Sequence, residues 1–249
     1  MKIHDKSLLS ALDGKKPLDV KDVLLRARSL CSKNIFTLVI SLLMVFAIIF
    51  AFGVVLVSTF NITKLEDIER LQTEAGAMLG FVSTIVLAPL WAGVSMMSIN
   101  SLRHKPIKAS DVFAYFSFLP ALGLSAVIVS ILTEIGFALL VLPGLYVFMA
   151  SVFVAPLIVE KKLGPISAIA LSVRMVNAYF NQIAVIFLVL ILLMIAVALS
   201  FGLAYIWVGP FYFNVKAILY QDLFSVVDEQ DSSSNAPSQT NENTGVFDA

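Results

Sequence analysis

The sequence predicts an all-α, polytopic membrane bundle of six transmembrane helices with amphipathic interfacial helices, and three observations predict it. Hydrophobic residues make up 59% of the 249, against roughly 45–50% in soluble domains. Charged residues make up 14%, where about 25% is usual. Long uncharged runs alternate with short segments that hold nearly all of the Lys and Arg. With a mean hydropathy of +0.93, too little polar surface remains to coat a water-soluble globule, so lipid must be the solvent for most of the chain.

A helix needs about 20 apolar residues to span hydrocarbon, because every backbone N–H and C=O must be satisfied within the segment. Residues 35–63 and 75–102 are free of charge, and the acidic stretch 64–74 between them reads as an aqueous loop. They hold helices one and two, about 35–60 and 75–100. The next run, 112–159, is interrupted only by Glu134 and is too long for one helix. The chain is expected to fold back at 134–136, giving helices three (112–133) and four (136–159). The last run, 175–215, is long enough for two passes, with a break at Gly209-Pro210, where the proline ring removes a backbone donor. Helices five (182–206) and six (209–226) follow, with Lys216 inside the sixth.

Charge supports this count independently. Residues 1–34 carry eight Lys/Arg, 100–111 carry three and 160–181 carry three, so 14 of 17 fall on one side of six crossings. Cytoplasmic loops hold such an excess, which puts both termini in the cytoplasm. Tyr205, Trp207 and Tyr212 gather at the expected outer face, and Tyr179 and Tyr220 at the inner one, as headgroup-layer aromatics do. Residues 1–34 form a cytoplasmic basic segment without the apolar run of a signal peptide. Residues 227–249 are acidic and polar, too poor in apolar groups to fold alone, and are expected to be a disordered cytoplasmic tail.

Within the basic segment, Asp19, Asp22, Arg26, Ser29 and Lys33 recur at spacings of three and four, with Val20, Val23, Ala27 and Leu30 opposite. That pattern predicts an amphipathic helix over 18–33 lying in the interface. A second is predicted after Pro165, with Ser167, Arg174, Asn177 and Asn181 on one face and Ile166, Ile169, Val173, Val176 and Phe180 on the other. A shorter one spans 110–116, with Ser110 as N-cap. The even-numbered crossings share a proline followed within three residues by an aromatic, at Pro89, Pro143 and Pro210. The expectation is three repeated units of surface helix plus hairpin; the competing reading is that Pro and aromatics are common in membrane helices anyway.

Leu142-Pro143-Gly144-Leu145-Tyr146, then 155–160 (Ala-Pro-Leu-Ile-Val-Glu), Ala168 to Ser172 with Arg174, and Tyr220-Gln221-Asp222 together carry a resemblance. Over about 18–224 the chain resembles the membrane domain fused to some glycerophosphoryl diester phosphodiesterases and its stand-alone bacterial relatives of uncharacterised function. The resemblance implies a fold and the bacterial cytoplasmic (inner) membrane. The fused hydrolase domain is absent from this sequence, so the phosphodiesterase activity is not implied.

Ionisable groups near or inside the bilayer are functional candidates, since each costs roughly 2.5–3.5 kcal/mol on insertion scales. Glu134, Arg174 and Lys216 qualify. Glu134 and Lys216 form an ion or proton relay on one reading. On the other, Glu134 is wetted at an outer turn, Lys216 snorkels and Arg174 touches lipid phosphate. His4 and His104 stand beside no catalytic motif, so no enzyme, metal or cofactor is expected. Gly76 and Gly80 match a small-xxx-small packing pattern, as do Ala196, Ser200 and Ala204. The single Cys31 reads as a small buried hydrophobe, or as an acylation site.

The function expected from these features is that of a non-enzymatic multi-pass protein that organises or assists membrane components or lipids. Its partners would be membrane lipids, other membrane proteins or further copies of itself, and no nucleic acid. The alternative is a small transporter or permease subunit, with helices broken at Pro89, Pro143 and Pro210 lining a path.

Overall fold

Asp19 opens the first helix: its backbone is extended and its carboxylate accepts from the Lys21 N–H at 2.9 Å. No Gly or Pro interrupts residues 20–52, and α1 runs unbroken over Val20–Thr59. In this computed structural model the described residues are 18–60 and 76–234, with side chains described through 224. His4, the acidic loop expected at 64–74 and the tail beyond 234 lie outside them, as does the terminal part of the basic segment. Forty residues make a rod of about 60 Å, twice the hydrocarbon thickness of roughly 30 Å.

The surface helix expected over 18–33 is therefore helical but is not a separate interfacial element. It continues coaxially into the first crossing. Val23, Ala27, Leu30, Asn34, Leu38, Ser41 and Val45 are all buried, one stripe at steps of three and four that carries across the junction, so nothing favours a bend there.

α2 covers Gly76–Leu102 and keeps Pro89 inside it. Two 3₁₀ turns, Ala109–Phe113 and Phe116–Phe118, stand where a short surface helix was expected. Lys108, not Ser110, occupies the cap position, with its N–H held by Asp111 Oδ2 at 2.8 Å. α3 covers Leu119–Leu139, α4 Val141–Ala150, α5 Val154–Lys161, α6 Pro165–Ala178, α7 Phe180–Leu199 and α8 Tyr205–Ser234. No strand occurs among the described residues.

Two turns fall elsewhere than predicted. The α3–α4 turn is at Leu140, in extended conformation, so Glu134 lies within α3. Gly136 is a packing glycine rather than a turn glycine, since a Cβ there would stand 2.8 Å from the Gly144 Cα. Pro143 sits in the first turn of α4, where a missing N–H costs little. The α7–α8 turn is at 200–204, made by Phe201 (φ 53°) and Gly202 (φ 86°) in left-handed conformation. Pro210 thus lies inside α8 instead of starting it. The three segments that introduce the hairpins also differ in kind: a coaxial extension, a pair of 3₁₀ turns and a separate helix.

Five helical segments are long and apolar enough to cross a membrane: α1, α2, 109–139, 141–161 and α7. Their outward faces carry Phe36, Phe50, Met78, Leu142, Leu188 and Leu199, all exposed. An apolar exterior of this extent is consistent with a surface that faces lipid, as in a transmembrane protein. α8 is different. It is less apolar and sits in the middle, packed chiefly on α1 and α2, with Phe213, Asn214, Val215, Ile218, Tyr220 and Phe224 buried. Tyr220 stacks on Phe224 at 4.9 Å between ring centroids, Phe153 meets Phe224 at 5.6 Å, and Trp91 stacks on Phe213 at 6.0 Å.

Candidate functional site

The polar residues of α8 organise three sites along its length. Near one end of the bundle, Arg26 of α1 makes a two-point pair with Asp222, one arm at 3.1 Å, and its Nε lies 2.8 Å from Asp22 one turn away. In the same layer Arg103, just past α2, donates from Nε to Gln221 Oε1 at 2.9 Å and pairs with Glu160 of α5 at 2.7 Å. The ends of α1, α2, α5 and the late part of α8 are thereby tied together.

Two turns deeper is an amide node. Asn34 Nδ2 donates to Asn214 Oδ1 at 3.0 Å and to Ser101 Oγ at 3.0 Å, and Asn214 Nδ2 returns a bond to Asn34 Oδ1 at 3.1 Å. Both amides are buried, so the pair satisfies groups that would otherwise be stranded.

Lys216 is the third site, and it does not snorkel. Its Nζ donates to Ser95 Oγ at 3.2 Å and lies 5.9 Å from the centre of the Phe213 ring. Ser95 has spent its own proton on the Trp91 carbonyl at 2.9 Å. Lys216 borders a cavity of about 380 Å³ between α2, α3, α4 and α8, with Ser83, Thr84, Ser125 and Tyr212 among its walls. A second cleft of about 410 Å³, toward α7, shares Trp91, Phe148, Tyr212 and Lys216 with the first.

Glu134 and Lys216 are not brought together. Glu134 is exposed on α3, where Ser130 Oγ donates to it at 3.1 Å, and it lines neither cleft. Arg174 is on the exposed face of α6. The apolar face expected on that helix is only partly the buried one: Ala168, Ser172, Met175 and Val176 face the bundle, while Ile166 is 75% exposed. Gly80 has open space where a Cβ would go, so the Gly76/Gly80 pattern makes no close helix contact there. The close approaches are at Gly93, against Val112, and at Gly136 against Gly144. Cys31 is only half-buried.

Ser172 has a role that its sequence context did not disclose. Helices α4 and α5 are separated by a turn at 151–153, and Ser172 Oγ accepts from the Phe153 N–H at 3.3 Å and donates to the Ala150 carbonyl at 2.6 Å. One side chain of α6 thus satisfies both backbone groups that the interruption frees. On the next turn of that helix, Asn177 Oδ1 accepts from the Tyr146 hydroxyl at 2.7 Å. At the α6–α7 junction burial pushes the Tyr179 phenol above its ordinary value of 10.0.

Sequence reasoning found Lys216 but missed Asn34, Asn214, Arg26, Asp222 and Arg103 as partners. A signal was present for Asn214, an amide in the middle of an otherwise apolar run. For the two interhelical ion pairs there was none, because their members are 57 and 196 residues apart. No family model, curated protein or solved structure matches the chain.

Proposed function

We propose that the chain crosses the bacterial cytoplasmic membrane six times, with both termini in the cytoplasm, and organises or assists membrane components and lipids without catalysing a reaction. One observation carries the topology. Arg26, Arg103, Glu160 and Asp222 meet in one layer, and each return to that layer requires an even number of passes. The segments that meet there are also those richest in Lys and Arg. α8 falls short of the hydropathy of a lipid-facing span, but its buried faces touch protein, so Asn214, Lys216 and Gln221 need no contact with acyl chains. The kinship with the membrane domain of glycerophosphoryl diester phosphodiesterases belongs to the same proposal and is supported by the motif residues Pro143, Gly144 and Ser172. The threefold hairpin repeat belongs to it as well, supported by the alternation of hairpins, and superposition of the three hairpins tests it.

The lipid-organising role is tested by extracting the full-length protein in native lipid particles and identifying what accompanies it. Enrichment of anionic lipid over the bulk membrane is the expected result, and a lipid composition equal to the bulk contradicts it. A transporter reading retains one favourable observation: Ala88 and Trp91, either side of Pro89, and Tyr212, just after Pro210, line the same cavity. Solute flux in liposomes that is lost on Lys216→Gln would favour that reading instead.

A further inference from the structure

We propose that the two clefts meeting at Lys216 hold one anionic amphiphile, its oxyacid head on the Lys216 ammonium and its apolar chain along the cleft walls toward α7. This deepens the lipid-handling reading above by giving it a binding site and a ligand class.

Lys216 is a cation without a countercharge among the described residues, where no carboxylate pairs with it and its one hydrogen-bond partner, Ser95 Oγ, is neutral. An ammonium has three N–H donors, so two remain for a ligand. The surrounding serine and threonine hydroxyls have spent their own protons and offer no donor to an oxyacid, whereas Lys216 does. Ser83 and Thr84 both donate to the Gly80 carbonyl, at 2.9 and 2.8 Å, and Ser125 donates to the Leu122 carbonyl at 2.8 Å.

Position selects the ligand class. Lys216 precedes Asp222 by six residues, so it lies about 9 Å along α8 from the Arg26–Asp222 layer, within reach of a headgroup drawn slightly inward. The second cleft leads from Lys216 past Phe187, Leu190, Ile191 and Met194, an apolar route suited to an acyl chain. A small hydrophilic anion would leave those walls unused, and a zwitterionic head would set its own cation against Lys216. Carboxylate and phosphodiester heads share the required chemistry, so a fatty acid and an acidic phospholipid are the two sources to separate.

The protein supplies its own reporter. Trp91 lines both clefts, and the only other tryptophan is Trp207. Full-length Trp207→Phe protein in phosphatidylcholine nanodiscs is titrated with dibrominated oleate, dibrominated phosphatidylglycerol or dibrominated phosphatidylcholine, and quenching of Trp91 is recorded. Saturable quenching by one anionic probe at about tenfold lower concentration than by phosphatidylcholine is expected, a preference of about 1.4 kcal/mol. Whichever of oleate and phosphatidylglycerol saturates first identifies the source. Lys216→Gln should remove that tenfold preference and Lys216→Arg should keep it. Ile191→Phe, which narrows the second cleft along the path of the apolar chain, should weaken quenching by the same probe even if Lys216→Gln fails to fold. Equal quenching by all three lipids, or an anionic preference unchanged in both Lys216→Gln and Ile191→Phe, overturns the site. That outcome leaves the six-crossing topology standing, because topology is read by labelling and not by quenching.

Discussion

The Asn34–Asn214 pair gives the sharpest energetic prediction. Replacing Asn214 by Leu keeps the branching at Cγ but leaves Asn34 Oδ1 and one of its amide hydrogens without a partner at a site that is 5% exposed. Stranding a buried polar group costs about 1–3 kcal/mol, and each single variant, Asn34→Leu or Asn214→Leu, is expected in that range. The double variant strands neither amide and removes only the donor that Ser101 Oγ takes from Asn34 and the bond between Asn214 and the Cys31 thiol. Interhelical hydrogen bonds in membrane proteins average about 0.6 kcal/mol by double-mutant cycles. Two reciprocal bonds then predict a coupling of about 1.2 kcal/mol, with the double variant that much more stable than the sum of the singles. Reversible unfolding in mixed micelles, followed by circular dichroism or by Trp fluorescence, measures all four corners of the cycle. A coupling below about 0.4 kcal/mol, the additivity expected of independent sites, would refute the reasoning that these two amides join α1 to α8.

The same unfolding assay reads three further substitutions. Gly136→Val should destabilise by about 1–3 kcal/mol, because its Cβ meets the backbone of Gly144 and that neighbour cannot swing aside, whereas Gly80→Ala should change stability by no more than about 0.5 kcal/mol. Ser172→Ala should cost about 1–3 kcal/mol by orphaning the Phe153 N–H and the Ala150 carbonyl; a neutral Ser172→Ala would mean that the α4–α5 interruption does not rely on α6. Glu134→Gln removes an exposed charge and leaves an amide oxygen that can still accept from Ser130, so both stability and lipid binding should stay within about 0.5 kcal/mol of the parent, and a larger loss would restore Glu134 as a functional charge.

What the sequence made legible was whatever depends on contact with lipid. Apolar runs mark the helices that face acyl chains, and those runs overlap α1, α2, α3 and α7, with α1 starting fifteen residues before the expected crossing. It failed where protein replaces lipid as the surroundings. Gly136 and Pro210 read as breaks by local propensity, yet one is a site of close backbone approach and the other is carried inside a helix already begun at Tyr205. The α7–α8 turn has left-handed backbone at both Phe201 and Gly202, and only the glycine marks it in the sequence. Lys216 was visible as an oddity in an apolar run, but its partner Ser95 is 121 residues away, and no spacing rule connects them. Asp222 was noted only as part of a motif; its pairing with Arg26 depends on α8 lying against α1, a tertiary fact.

The most direct test concerns where the chain ends relative to the layer in which Arg26, Arg103, Glu160 and Asp222 meet. In a Cys31→Ser background, single cysteines at Lys105→Cys and Ala249→Cys are exposed to a membrane-impermeant maleimide in spheroplasts and after permeabilisation. Six crossings predict that both positions stay unlabelled until the membrane is opened and then label together. Labelling of Ala249→Cys in intact spheroplasts while Lys105→Cys stays protected would contradict it, leaving α8 without a complete crossing.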